Sequence, residues 1–300
     1  MKNKLKILIF GGSGLVGSKF VDLNKQIFEI KAPIVSEVDI LNKDQISKII
    51  ENFDPDSIVN FAAFTNVEEA ENQTEDKNGI CYQINALGAK NVAEVAKSFD
   101  KHLVHISTEY VFDGQKENSP YTEEDTPSPI NWYGQTKLFG EKFVLAANTK
   151  TVIMRISMPF SSHYELKKDV ARFFLEQLRM KNPIKAIEDQ RITPTLVNDI
   201  ADALKIFLQN KSLGLYHVSS RDSVSPLEFV KTIANTFHLD FSLISSLKLD
   251  EYGKNKKAKL LRYSWLNPAK FEREFGDDIL HTVEEGLVIF KQEIDGKAEN

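Results

Sequence analysis

The sequence predicts an α/β protein: a doubly wound parallel sheet followed by a smaller C-terminal α/β lobe. Three observations predict it. An apolar run near the N-terminus passes straight into a glycine-rich turn. Short apolar runs then alternate with helical stretches through the first half, and the pattern loosens after about residue 157. Three hundred residues make one large domain or two modest ones, and a 42% hydrophobic share is ample for the core.

Leu5-Lys-Ile-Leu-Ile-Phe10 has the continuous apolar character of a strand buried on both faces. It leads into Gly11-Gly-Ser-Gly14-Leu-Val-Gly17 and a helical stretch toward Leu23. The first glycine permits a sharp turn, the second lets backbone N–H groups approach a pyrophosphate, and the third lets the helix pack close on the strand. The helix N-terminus adds donors and a dipole that favours an anion. In this strand–turn–helix setting the spacing predicts a dinucleotide site and a Rossmann-type sheet. The next elements expected are a strand over Ile27–Ile30, a helix over Lys43–Asn52, a turn at Asp54-Pro-Asp56 and a strand over Ser57–Phe61. A long helix over Ile84–Ser98, a strand over Leu103–Ser107, a helix over Tyr133–Ala147 and a strand over Thr151–Arg155 complete the first half. Repeated βα units imply parallel strands joined by right-handed crossovers.

In the second half, Val170–Lys181 reads as a helix with Phe173, Phe174, Leu175 and Leu178 on its core face. Pro183–Ile187 reads as a strand, Val197–Leu208 as a helix and Gly214–Val218 as a strand. Ser225-Pro-Leu-Glu228 is a capping box that opens a helix toward Phe237. The division expected is residues 1–156 as the dinucleotide-binding domain, with 190–220 returning to it. Residues 157–189 and 221–300 then form the substrate lobe. A ligand would bind at the carboxyl ends of the strands, where the lobes meet.

Several classes are disfavoured. A net charge of −5 argues against a general nucleic-acid binder. The one dense basic stretch, Lys254–Lys259, reads first as a solvated loop and second as a loop that meets substrate phosphates. The single cysteine, Cys81, has no base beside it and fits a reducing compartment. The six histidines lack metal-ligand spacing, so no metal is expected, and His102 and His105 read as structural. No apolar stretch reaches membrane-spanning length, and Met1-Lys-Asn-Lys4 runs straight into the first strand. A cytoplasmic protein with no membrane partner is expected. The polar tail Asp295–Asn300 is expected to fray.

The chemistry centres on Tyr133 and Lys137 in Asn131-Trp-Tyr-Gly-Gln-Thr-Lys-Leu-Phe-Gly-Glu141. Four residues apart on a helix, they share one face. A phenol titrating near ~10 is a poor acid at neutral pH, and a neighbouring cation would lower that value. The pair alone is common on solvated helices. Its companion is Ser107-Thr-Glu-Tyr-Val-Phe-Asp-Gly114, which puts a hydroxyl at a strand end. Hydride transfer to a carbonyl needs such a hydroxyl, a proton donor and a fixed nicotinamide. For cofactor choice, Glu29 would favour the NADH ribose and Lys31 the NADPH phosphate. Alternation puts both on one face, and Lys31, nearer the strand's carboxyl end, tips the expectation slightly toward NADPH.

With these motifs the chain resembles an extended short-chain dehydrogenase/reductase, most closely the dTDP-4-dehydrorhamnose reductase family of nucleotide-sugar enzymes. Five segments carry the resemblance: Gly11–Gly17, Val59–Glu71, Ser107–Gly114, Tyr133–Glu141 and Asp189–Asp199. It implies that Thr108, Tyr133 and Lys137 are catalytic. It implies that Gly11, Gly14, Leu15, Val16 and Gly17 lie on the pyrophosphate, Lys31 by the adenosine ribose, Asp39 and Ile40 along the adenine, and Ala62 and Ala63 behind the cofactor's middle. Thr65, Val67, Glu68, Glu109, Tyr110 and Met158 would face the substrate. Three departures fall on the substrate side. Met158 stands where the family has tryptophan, and Glu109 where it has aspartate. Leu260–Leu266 lacks the family's phosphate-gripping arginine, with Arg262 or Lys259 nearby. The function implied is an NAD(P)-dependent reductase of a 4-keto nucleotide sugar, with that nucleotide sugar as its small-molecule partner; many relatives are homodimers, but no helix here announces an interface, so the oligomeric state stays open. The alternatives are an epimerase of the same superfamily, or a non-catalytic NAD(P)-binding regulatory subunit like that of methionine adenosyltransferase. Tyr110 occupies the place of a dehydratase's second carboxylate, which disfavours elimination.

Overall fold

A computed structural model describes residues 4–147, 150–162 and 168–298. Its strands are β1 (Lys6–Phe10), β2 (Glu29–Lys31), β3 (Ser57–Asn60), β4 (His102–Thr108), β5 (Thr151–Ile156), β6 (Pro159–Phe160), β7 (Ile184–Ile187), β8 (Thr195–Leu196), β9 (Gly214–Val218) and β10 (Ile244–Leu247). The helices of the first half are α1 (Leu15–Asn24), α2 (Lys43–Phe53), α3 (Val67–Ala70), α4 (Ile80–Tyr82), α5 (Ala89–Ser98) and α6 (Trp132–Ala147). Those of the second are α7 (Val170–Arg179), α8 (Val197–Asn210), α9 (Pro226–Thr236), α10 (Leu249–Gly253), α11 (Ala269–Phe275) and α12 (Val283–Ala298).

Side-chain alternation builds the two layers around the sheet. On β1, Ile7 and Ile9 face a core with Phe20 of α1, Leu204 of α8 and Phe271 of α11, while Leu8 and Phe10 face another with Ile46 of α2 and Val92 of α5. Six strands run parallel in the order β2-β1-β3-β4-β5-β9. The order reverses at β1, which pairs with both β2 and β3, so the loops leaving β1 and β3 diverge and open a crevice at their carboxyl ends. A separate core joins Phe160, Phe174 of α7, Phe229 of α9 and Phe290 of α12, beside two small parallel pairs, β6–β8 and β7–β10.

Local signals act as expected at several ends. Asn42 caps α2 by accepting from the Asp44 and Gln45 amides, both at 3.1 Å. Ser225 and Glu228 close a reciprocal capping box on α9, at 3.1 and 2.6 Å. Elsewhere the structure differs. The strand expected over Ile27–Ile30 is Glu29–Lys31, because Phe28 turns into the core against Phe20, with ring centroids 6.2 Å apart. The helix expected from Ile84 begins at Ile80 and passes through a π-helical turn, Gln83–Gly88, before α5. Phe173, expected in the core, is 48% exposed, while Phe174, Leu175 and Leu178 are buried. The tail expected to fray is helical to Ala298, and Glu299 and Asn300 lie outside the described residues, as do Met1, Lys2 and Asn3.

Candidate active site

The crevice begins at the glycine turn. Gly11 has φ +77°, and a Cβ there would stand 2.5 Å from the Ala62 amide nitrogen, so only glycine fits where the chain leaves the paired ends of β1 and β3. A Cβ at Gly17 would stand 2.6 Å from the Gly11 carbonyl oxygen, which is how closely α1 folds back on the turn. Gly14 is the N-cap of α1 and supplies no side-chain cap, leaving the first-turn amides at Leu15 and Val16 open to an anion. Gly12 abuts Ala32, which brings exposed Lys31 to the same rim. Its Nζ lies 5.7 Å over the Phe53 ring, and Glu29 is likewise exposed. Asp39 accepts from the Leu41 amide at 2.9 Å. Ile40 is buried against Gly88, and Asn91 holds its carbonyl at 3.1 Å. Ala62 and Ala63 are half-buried at the end of β3. The arrangement suits an extended dinucleotide: a cradle that a Cβ would fill, an uncapped helix start and a wall of small residues.

At the other end, buried β4 delivers Thr108, whose hydroxyl caps a short 3-10 turn, Glu109–Val111. Helix α6 meets that turn closely. A Cβ at Gly134 would stand 2.1 Å from the Tyr110 carbonyl oxygen, and Asn131 fixes the Gly134 amide at 2.8 Å. This approach sets Tyr133 beside Thr108 and edge-on to Tyr110, with centroids 5.5 Å apart. Thr108 Oγ1 donates to Glu109 Oε2 at 2.7 Å. Lys137 is buried, and its Nζ donates to the Ile106 carbonyl at 2.7 Å. Met158 follows β5 with φ +38°, a left-handed conformation costly for a side chain of its kind.

The electrostatics reverse one expectation. The Tyr133 phenol is pushed up, not down: burial raises it first and the Glu109 carboxylate raises it further, while the neighbouring Thr108 hydroxyl acts the other way. Burial lowers Lys137 to about 8. Burial also raises Glu109 to about 7, against the Thr108 hydrogen bond, and raises the Tyr110 phenol. The Cys81 thiol is likewise raised by burial and lies 3.3 Å from Thr136 Oγ1.

On the substrate side, Thr65 is exposed, and Val67 and Glu68 are half-buried on α3. Glu68 accepts from the backbone of Lys257 at 2.7 Å and of Ala258 at 3.4 Å. The basic stretch therefore keeps exposed lysines yet is tied to α3, with Lys257 Nζ 2.5 Å from Asn72. Arg262 pairs with Asp189 and, at 2.7 Å, with Asp250, so its guanidinium is held by two carboxylates. Asn85 was not anticipated. Its amide accepts from Phe64 N at 2.8 Å and donates to Thr136 Oγ1 at 3.0 Å, joining the β3 loop to α6. An asparagine inside the apolar run Ile84-Asn-Ala-Leu87 was its only signal. Ser107 is a second, its buried hydroxyl unpartnered at the end of β4. Among the described residues, no cluster of His, Cys, Asp or Glu is arranged to hold a metal ion.

The class defined by this sheet and this crevice is the extended short-chain dehydrogenase/reductase. More narrowly, the family described as RmlD substrate binding domain matches residues 5–293, and the chain belongs to it. A dTDP-4-dehydrorhamnose reductase of Aggregatibacter actinomycetemcomitans is 30% identical over 284 residues, spanning 90% of this chain and 93% of that one. Methionine adenosyltransferase 2 subunit beta of Rattus norvegicus is 30% identical over 251 residues, 79% of this chain and 73% of that one. Among solved structures, the dTDP-4-dehydrorhamnose reductase of Bacillus anthracis in complex with NADP superposes with a TM-score of 0.88 at 29% identity, covering 97% of this chain and 99% of that one.

Proposed function

We propose that the chain is an NADPH-dependent reductase of a 4-keto nucleotide sugar. The observation that carries this reading is the buried hydroxyl pair Thr108–Tyr133, with Lys137 one turn along α6, at the crevice end of β4. When bound, the nicotinamide supplies the hydride. Gly11, Gly14 and Gly17, with the open amides at Leu15 and Val16, hold the pyrophosphate, and Asp39, Ile40, Ala62 and Ala63 line the remainder. Lys31 at the rim favours the 2′-phosphate of NADPH. Tyr133 gives its proton to the C4 oxygen as the carbon is reduced, and Thr108 steadies the charge developing there. Lys137 sets the cofactor ribose and offsets the phenolate left behind. Thr65, Val67, Glu68, Glu109, Tyr110 and Met158 face the sugar nucleotide.

A second reading is favoured by the rat subunit beta, which is as similar in identity as the reductase. In that reading the crevice binds a dinucleotide and the chain serves another enzyme. Titration with NADH and NADPH by nicotinamide fluorescence, followed by a panel of 4-keto nucleotide sugars, separates the two. The reductase reading expects binding and cofactor oxidation. Binding with no oxidation across the panel moves the assignment to the regulatory role, and binding of neither cofactor overturns both. Tyr133→Phe should lower turnover by at least a hundredfold while changing cofactor affinity less than threefold.

A further inference from the structure

Thr108 has a single hydroxyl proton, and three oxygens compete for it. Glu109 Oε2 holds it now, at 2.7 Å. The neighbouring Tyr133 oxygen is a second candidate. The substrate carbonyl, on the reading proposed above, is the third. The Tyr110 amide already donates to Thr108 Oγ1 at 3.3 Å, which leaves that oxygen one further lone pair. An ionised carboxylate can only accept, so while Glu109 is ionised it takes the proton that catalysis needs. A protonated Glu109 reverses the bond: its O–H donates into the free lone pair, and the Thr108 proton turns to Tyr133 and the carbonyl.

We propose that Glu109 is a positioning residue that acts in its protonated form, aiming the Thr108 hydroxyl at the reacting oxygen. The step moves no electrons and breaks only hydrogen bonds. Glu109 is 4% exposed in the turn that ends β4. Its burial also places its titration near 7, so the two orientations interchange over the neutral range. The Met158 backbone and the Ser157 hydroxyl lie beside the same carboxyl on the β5 side and, like Thr108, favour its ionised form. The titratable groups facing it are Tyr110 in its own turn and Tyr133 on α6, both raised first by burial and then by its charge. Tyr252 on α10 lies beyond Tyr110, and Cys81 beyond Tyr133, with Lys137 acting on Cys81. The raised Tyr110 and Tyr133 phenols do not ionise in the neutral range, so the groups that titrate there are Glu109, near 7, and Lys137, near 8.

Glu109→Gln is the deciding variant. Its amide oxygen can face the Met158 backbone while its amide N–H donates to Thr108, holding the active orientation at every pH. Wild-type kcat is expected to fall about tenfold per pH unit above the Glu109 titration, and the variant, whatever its plateau, to lose that limb and fall only where Lys137 titrates, near 8. The same fall in the variant overturns the proposal, and so does loss of activity at all pH values in a variant that keeps its cofactor affinity. A second readout needs no turnover. Infrared difference spectra of wild type minus Glu109→Gln, from about pH 5 to about pH 9, should contain a carboxylic-acid carbonyl band that titrates near neutral and shifts in Thr108→Val. Absence of the band, or a band indifferent to Thr108, also overturns the proposal, even if the chain proves to be no reductase. An intact band in a protein without turnover would instead count against the reductase reading alone.

Discussion

At the scale of single residues, burial outweighs sequence neighbourhood. Tyr133 and Lys137 stand at the spacing that would let an ammonium lower a phenol, yet the phenol is raised, because removal from solvent and the Glu109 charge dominate. The spacing was legible; the direction was not, since it depends on groups brought in from β4. Glu109 carries a stability consequence as well. Its folded titration, about 7, stands above the ordinary 4.5, so its contribution is fully present below about pH 4.5 and lost as pH rises through 7. The gap corresponds to roughly 3 kcal/mol at most. The thermal midpoint should fall between about pH 5 and about pH 8.5, and Glu109→Gln should remove that component. Equal pH dependence in the two proteins would show that the carboxyl is better solvated than its burial implies.

At the scale of elements, close approaches fix the crevice. Gly11→Ala would force a Cβ against Ala62 as well as a left-handed backbone, and should abolish dinucleotide binding in the fluorescence titration. Helix α6 is tied to β5 by Glu141 and Arg155, a bidentate pair at 2.9 and 2.7 Å with both side chains 3% exposed. Arg155 also stacks over Phe112, 5.0 Å from its centroid. Glu141→Gln leaves a buried guanidinium without its counter-charge and should cost about 3–5 kcal/mol by denaturant unfolding. The glycine turn, α2, α9 and α6 were legible because their signals are local: caps, periodicity and short spacings. The link from Asn85 to Thr136 was not, because it joins segments 51 residues apart. The register of β2 escaped for a related reason. Phe28 has strand propensity, and only its contact with Phe20 shows that it serves the core instead.

At the scale of the whole molecule, the first helix and the last are joined. Lys19 of α1 donates to Glu293 of α12 at 2.7 Å, and Glu293 also accepts from Asn198 of α8 at 2.9 Å and from Ser162. These contacts brace the glycine turn's helix against the core built on Phe160 and Phe290. The alternation of strand and helix made the sheet legible from the sequence. The meeting of α1 with α12 was not, for no local pattern reports a contact 274 residues apart. Among the described residues no helix is long and apolar enough to cross a membrane.

The last strand of the central sheet arrives late. β9 pairs with β5 from Val152↔Gly214 to Ile156↔Val218, and the intervening chain builds β6, β7, β8, α7 and α8 first. During synthesis the free edge of β5, carrying Val152, Ile153 and Met154, has no partner until residue 214 has left the ribosome. Closing so long a loop is entropically slow relative to the hairpin-like steps of simpler folds. An apolar, unpaired strand edge that persists through that interval is a natural docking point for chaperones and for other nascent copies. Yield should therefore respond to the rate at which residues 157–213 fold and bring β9 to that edge, as well as to the stability of the finished sheet.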